Sequence, residues 1–322
     1  MILTRNHMGS LFVFCLSFVL ILMGCGNPAT ESDAEGQGET RSIQHAMGET
    51  EVPESPQRVV VLTNEGLEAL LAVGVKPVGA VQAFSGEGTW YKHLEKEMDG
   101  VENVGTEHQP NLEKIMTLKP DLIIGNKMRQ EKIYEQLSDI APTVFAEELR
   151  AQWKNNFKLY TDTVNKKAEG EAVIADFDQR VEKIREQAGD RLSTEVSMVR
   201  FMPGRTRIYY NDTFGGTILK EIGFKRPKAQ DKDDFAAEVT KERIPEMEGD
   251  ILLYYTYDEK GETEGSEMEK EWLQEQLWKE LNVVKQGNAH KVNDVVWTTA
   301  GGVKAANLLL DDVEKYLLDD ES

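Results

Sequence analysis

Two arginine-bearing stretches hold the side chains best suited to chemistry. Lys127 and Arg129 follow the apolar run 122–125. Ligands of an open α/β lobe bind beyond the carboxyl ends of its strands, so both residues are expected to face a cleft. The second stretch, VRFMPGRTRIYY (199–210), reads as a hairpin turning at Pro203-Gly204. Strand alternation puts Arg200 and Met202 on one face, and Arg205, Arg207 and Tyr209 on one face of the returning strand. A guanidinium is a fixed fork of donors that pairs bidentately with carboxylate oxygens. The chain carries 37 Lys and Arg against 57 Asp and Glu, a net charge of −20. Clustered arginines in such a chain read as a local anion site within a negative field. The alternative for each arginine is an ordinary solvated surface residue. Trp297 precedes the small-residue turn 298–302 and either walls a pocket or packs in a core; Trp90 has the same two readings.

Other chemistries find little support. There is no Gly-x-Ser-x-Gly elbow, P-loop, dinucleotide fingerprint or visible nucleophile–base pair, so no enzyme is expected. His93, His108 and His290 lack metal-ligand spacing, so a carrier of free zinc or manganese is not expected; no cofactor is expected. The charge argues against nucleic acid as a partner.

The elements that must position these residues are organised around 168–191. Val173, Ile174, Phe177, Val181 and Ile184 fall on one helical face, with no proline and with Gly189 at the end. Roughly 20 such residues span about 30 Å. The flanks echo each other. LEKIMTLKPDLIIG (112–125) and KERIPEMEGDILLY (241–254) match Glu113, Ile115 and Asp121 to Glu242, Ile244 and Asp250. Each reads as a short helix, a turn and a buried strand. The predicted fold is α/β: two similar lobes with mainly parallel sheets, joined by one long helix, with a ligand cleft between them. A single larger domain with an internal helix is the alternative. Expected boundaries are 51–165 for the first lobe, 166–192 for the linking helix and 193–322 for the second lobe. The acidic stretch 258–270 reads as a solvated loop.

The N-terminus gives the location. Residues 1–24 contain an apolar run, 11–23, that is short for a membrane span and reads as a signal peptide. Leu22-Met23-Gly24-Cys25 resembles a lipoprotein box, which implies lipidation of Cys25 and an extracytoplasmic chain anchored to the cell membrane; a plain secretory signal or an uncleaved anchor is the alternative. Cys15 lies within the signal, so no intramolecular disulfide is expected. Residues 25–50, rich in Gly, Glu, Ser and Thr, read as a flexible tether.

PQRVVVL, EALLAVGVKPVGA, NLEKIMTLKPDLIIG and YEQLSDIAPTV resemble the iron-siderophore-binding lipoproteins of ABC importers, whose two lobes are joined by a long helix. FGGTILKEIGFKRP (214–227), VTKERIPEMEGDILL (239–253) and VVWTTAGGVKAANLLLDDVEKYL (295–317) agree. The last resembles the signature of citrate-hydroxamate or carboxylate siderophore binders, in which Asn usually stands at Thr298. The resemblance covers about 50–318. It implies a monomer that hands an anionic ferric siderophore, with iron held by the siderophore's own oxygens, to an ABC permease. It favours Arg129, Arg200, Arg207 and Tyr209 as ligand contacts, with Lys127, Arg205, Trp297 and Trp90 as further candidates. It also implies that Glu113 and Glu242, one per lobe, dock on the permease. Haem or a corrinoid is the alternative ligand.

Overall fold

The structure, a computed structural model, describes residues 39–86 and 88–318. The expected signal peptide, Cys25 and the first part of the tether lie outside the described residues. The tether does not extend to residue 50. Thr40–His45 (β1) and Gly48–Pro53 (β2) form an antiparallel hairpin that buries Ile43 and Val52. Two apolar residues in twelve suffice because the hairpin also covers a sheet edge: the Ala46 N–H donates to the Phe145 carbonyl at 2.9 Å, and the Phe145 N–H to His45 Nδ1 at 3.2 Å.

Lobe one is built from Val59–Val61 (β3), Asn64–Ala72 (α1), Gly79–Ala80 (β4), Glu102–Asn103 (β5), Leu112–Thr117 (α2), Leu122–Asn126 (β6), Lys127–Gln130 (α3), Tyr134–Ser138 (α4), Thr143–Ala146 (β7) and Trp153–Thr163 (α5). Among the described residues its sheet runs β5-β4-β3-β6-β7, every pair parallel. β3 and β6 are buried along their whole length, as a sheet covered on both faces requires.

Lys167–Ala188 (α6) is the spine. It buries Ile174, Phe177, Val181, Ile184 and Ala188, and it stops at Gly189, whose φ of 50° is awkward for a residue bearing a Cβ. Lobe two follows with Val196–Met202 (β8), Arg205–Tyr209 (β9), Phe214–Ile222 (α7), Ala236–Val239 (β10), Ile251–Thr256 (β11), Glu264–Gln274 (α8), Gln276–Glu280 (α9), Asn282–Lys285 (α10) and Ala289–Lys291 (β12). Its order is β10-β9-β8-β11-β12. β8, β11 and β12 are parallel, and the 199–210 hairpin sets β9 antiparallel between β8 and β10. The stretch 258–270 is not a solvated loop throughout. α8 begins within it, because Trp272 and Trp278 pack on Phe201 and the buried Glu269 pairs with Lys291.

The echo between lobes has a physical content. The Asp121 carboxylate accepts from the N–H groups of Gln57 and Arg58 at 2.7 and 2.9 Å, just before β3. Asp250 accepts from Glu195 N–H at 2.8 Å, just before β8. The Thr63 hydroxyl caps α1 through Gly66 N–H, and Thr213 caps α7 through Gly216 N–H, both at 3.0 Å.

The C-terminal part of 193–322 does not stay in lobe two. Val303–Val313 (α11) returns to lobe one, where Ala305 N–H donates to Glu68 Oε2 at 2.9 Å and Lys304 pairs with Glu97 at 2.8 Å. The reason is apolar: Val303, Ala306, Leu309 and Leu310 share one core with Leu67 and Leu70 of α1 and Trp153 of α5. Gly302 permits the approach, since a Cβ there would lie 2.6 Å from Glu68 Cβ. Gly302→Ala is therefore expected to destabilise the protein by about 1–3 kcal/mol through overpacking. Urea unfolding measures this, and an unchanged midpoint would mean that the seam is loose.

Candidate functional site

The cleft lies where the carboxyl ends of both sheets meet, as the strand-end rule requires. Its enclosed part holds about 250 Å³ and opens to solvent at the mouth. Among the described residues, Arg129, Arg150, Arg200, Arg205 and Arg207 line it with two acids, Glu65 and Glu107. Phe84, Phe235 and Tyr257 supply flat walls.

Each arginine is placed differently. Asn126 ends β6 and caps α3 by accepting from Met128 N–H at 2.9 Å, which turns Arg129 toward Glu107. Arg129 Nε donates to Glu107 Oε2 at 3.3 Å, while Glu107 Oε1 accepts from the Asn64 N–H and Nδ2 at 2.7 and 2.9 Å. In lobe two, Arg200 faces Arg207 and Met202 faces Arg205 across the hairpin. Arg200 is only 8 % exposed. Its Nε and Nη2 grip the two Asp294 oxygens at 2.6 and 2.9 Å, and its Nη1 donates to the Tyr209 hydroxyl at 3.1 Å. Burial alone would lower the Arg200 pKa, but Asp294 outweighs it and raises it. Arg207 lies 3.8 Å from Glu238, and Arg205 is exposed.

Arg150 holds a left-handed backbone, φ 75°, and lays its guanidinium 3.9 Å from the Phe235 ring centre, reaching from lobe one to lobe two. Burial, then the charges of Arg129 and Arg207, hold its pKa below the usual arginine range. Among the described residues no carboxylate forms an ion pair with Arg150 or Arg205. The site can therefore bind an anion: forked donors of unspent charge lie beside aromatic faces.

The family model for periplasmic binding proteins matches residues 59–292. The chain belongs to that family. It is 51 % identical over 323 residues to the probable siderophore-binding lipoprotein YfiY of Bacillus subtilis, covering 98 % of this chain and 99 % of that one. It is 30 % identical over 267 residues to the achromobactin-binding periplasmic protein of Dickeya dadantii, covering 81 % and 86 %. Among solved structures, Staphylococcus aureus SirA complexed with staphyloferrin B superposes with a TM-score of 0.78 at 33 % identity, over 86 % of this chain and 98 % of that one.

Within this periplasmic binding protein, Arg129, Arg200, Arg205 and Arg207 converge on the cleft as the sequence suggests. Four other candidates do not line it. Lys127 pairs with Glu147 at 2.6 Å. Tyr209 is fully buried beneath Arg200. Trp297 takes the core reading: it is 1 % exposed, its Nε1 donates to Asp312 at 2.8 Å, and its ring covers Gly215. Trp90 is half-buried against the lobe-one core. Glu113 and Glu242 are exposed at the starts of α2 and of the 3₁₀ turn Lys241–Met247, and neither lines the cleft. Sequence reading missed Arg150, Phe235, Tyr257, Glu65 and Glu107.

The grip on Arg200 makes it a strut as well as a lining residue. Arg200→Ala and Asp294→Ala should each cost roughly 3–5 kcal/mol, because each leaves a buried charge unpaired. The double variant should lose much less than the sum. A urea double-mutant cycle tests this; additive losses would show that the pair is not coupled.

Proposed function

We propose that this chain is the extracytoplasmic binding lipoprotein of an ABC importer and captures an anionic ferric siderophore. The observation that carries the reading is the arginine cleft itself, walled by Phe84, Phe235 and Tyr257 in a chain of net charge −20. Iron would arrive enclosed by the siderophore's oxygens. The protein then need only recognise the periphery of the complex, through charge-assisted hydrogen bonds and flat apolar contact. The printed names of the relatives support the class: siderophore-binding, achromobactin-binding and, at 28 % identity, Fe(3+)-citrate-binding. Carboxylate-bearing siderophores suit forked guanidinium donors best.

On this reading Arg129 and Arg207, both partly exposed, contact the ligand directly. A charge-assisted hydrogen bond contributes roughly 1.5–3 kcal/mol, so Arg129→Ala or Arg207→Ala should weaken binding about 10- to 200-fold. Arg129→Lys should recover only part of the loss. Tryptophan-fluorescence titration with ferric staphyloferrin B and ferric citrate measures this, and unchanged affinity in both alanine variants would remove the cleft as the site.

Delivery adds Glu113, Glu242 and Cys25. Glu113→Ala with Glu242→Ala should reduce iron uptake into cells while leaving affinity in solution intact. Cys25→Ser should abolish fatty-acid labelling of the chain. Lost affinity in the glutamate variants, or equal labelling in the cysteine variant, would refute these roles.

A further inference from the structure

Glu65 is the second residue of α1, on the floor of the arginine-lined cleft. It is 5 % exposed, and its Oε1 is buried without a hydrogen-bond partner. Among the described residues no cation forms an ion pair with it. Arg150 and Arg205, the cleft arginines without an ion pair, do not pair with it either, and its acidic neighbours have partners of their own. Glu107, across the cleft floor, already binds Arg129 and Asn64. Glu68, one turn further along α1, is fully buried and accepts from His93 Nε2 at 2.6 Å and from Ala305 N–H at 2.9 Å. From α5 the groups that face it are uncharged: the Asn156 amide and the buried Tyr160 phenol.

A carboxylate here would gain about 0.3–1 kcal/mol from the helix N-terminus. An unpaired buried charge costs several times that, and the group protonates instead. Burial pushes the Glu65 carboxyl well up; the Asn156 hydrogen bond opposes this, and the charges of Glu107 and Glu68 add to it.

Nor does the capping turn require an acid. In lobe two the equivalent turn, Thr213 to Gly216, has Gly215 at this position, covered by the Trp297 ring. The same cap works there with no side chain at all. Glu65 therefore places a buried acid in the lining of the anion site, with an oxygen that nothing in the protein engages.

We propose that Glu65 is a specificity-determining residue of the cleft: it meets an oxygen of the bound anion as the un-ionised acid and donates its proton in a hydrogen bond. This rests on the anionic-ligand reading above. The ligand is then admitted only while the proton is in place. Once Glu65 ionises, its charge has no partner and lies against the ligand's own.

The test compares wild type with Glu65→Gln, which keeps an N–H donor and cannot ionise. Dissociation constants of the purified full chain for ferric staphyloferrin B and ferric citrate are measured from about pH 6 to about pH 10. Ionisation of the probe is common to both proteins, so the ratio of wild-type to variant Kd isolates Glu65. The ratio should be constant at low pH and then climb about tenfold per pH unit once Glu65 loses its proton. A second readout needs no ligand. Because the folded-state pKa is raised, the melting temperature of wild type relative to the variant should fall as pH rises above the unfolded glutamate value, about 4.3. Should the glutamine variant not fold, Glu65→Met, similar in size and uncharged, serves the same comparison. Binding with a flat Kd ratio, or a flat melting difference, would overturn the role of Glu65 alone. No binding of either probe by either protein would overturn the anion-carrier reading and the Glu65 proposal with it.

Discussion

Arg200 and Arg207 sit directly opposite each other on adjacent antiparallel strands, and the second lobe depends on how that like-charge pair is neutralised. Asp294 holds Arg200 from the turn that follows β12, and Glu238 approaches Arg207 from β10. Arg129 finds Glu107 in the other lobe. Three acids from three separate elements thus let the guanidinium groups share one cleft. Asp294 also fixes the start of the segment that leads through Trp297 and Gly302 to the C-terminal helix. The charge that remains unpaired, on Arg150 and Arg205, adds to what Arg129 and Arg207 would offer an incoming anion.

That arrangement ties the lobes together more firmly than a single connector would. α6 is continuous and packed along one face, so it has no loop able to take up large dihedral changes. α11 adds a second crossing through Glu68 and the shared core. Arg150 on Phe235 and the Lys260 Nζ bond to the Gly88 carbonyl at 3.0 Å bridge the two rims. Small adjustments of side chains and rim loops fit this framework better than a wide clamshell motion does.

Much of the fold was legible in the sequence, and so was half of the site. The α6 stripe and the paired helix–turn–strand units show because periodicity and punctuation are local signals. Arg129, Arg205 and Arg207 show because strand ends and strand alternation determine where they point. Arg150 and Phe235 lie in segments without period, and only the packing of the lobes brings them within 3.9 Å. Trp297 was ambiguous because its partner, Gly215, is 82 residues away in the chain, 297 less 215. The β1–β2 hairpin was hidden by its polarity, and the start of α8 by its density of acids. Glu65 looks like an ordinary residue of a helix first turn, and only its buried Oε1, which lacks a hydrogen-bond partner, distinguishes it.

The central claim is that the cleft selects by charge. A competition titration of the wild-type chain, with ferric citrate against a cationic ferric trihydroxamate of about the same size, tests it most directly. The account requires the anionic complex to win, and its advantage to shrink as salt is added, since partly exposed pairs are screened. Preference for the cationic complex, or an advantage indifferent to salt, would contradict it.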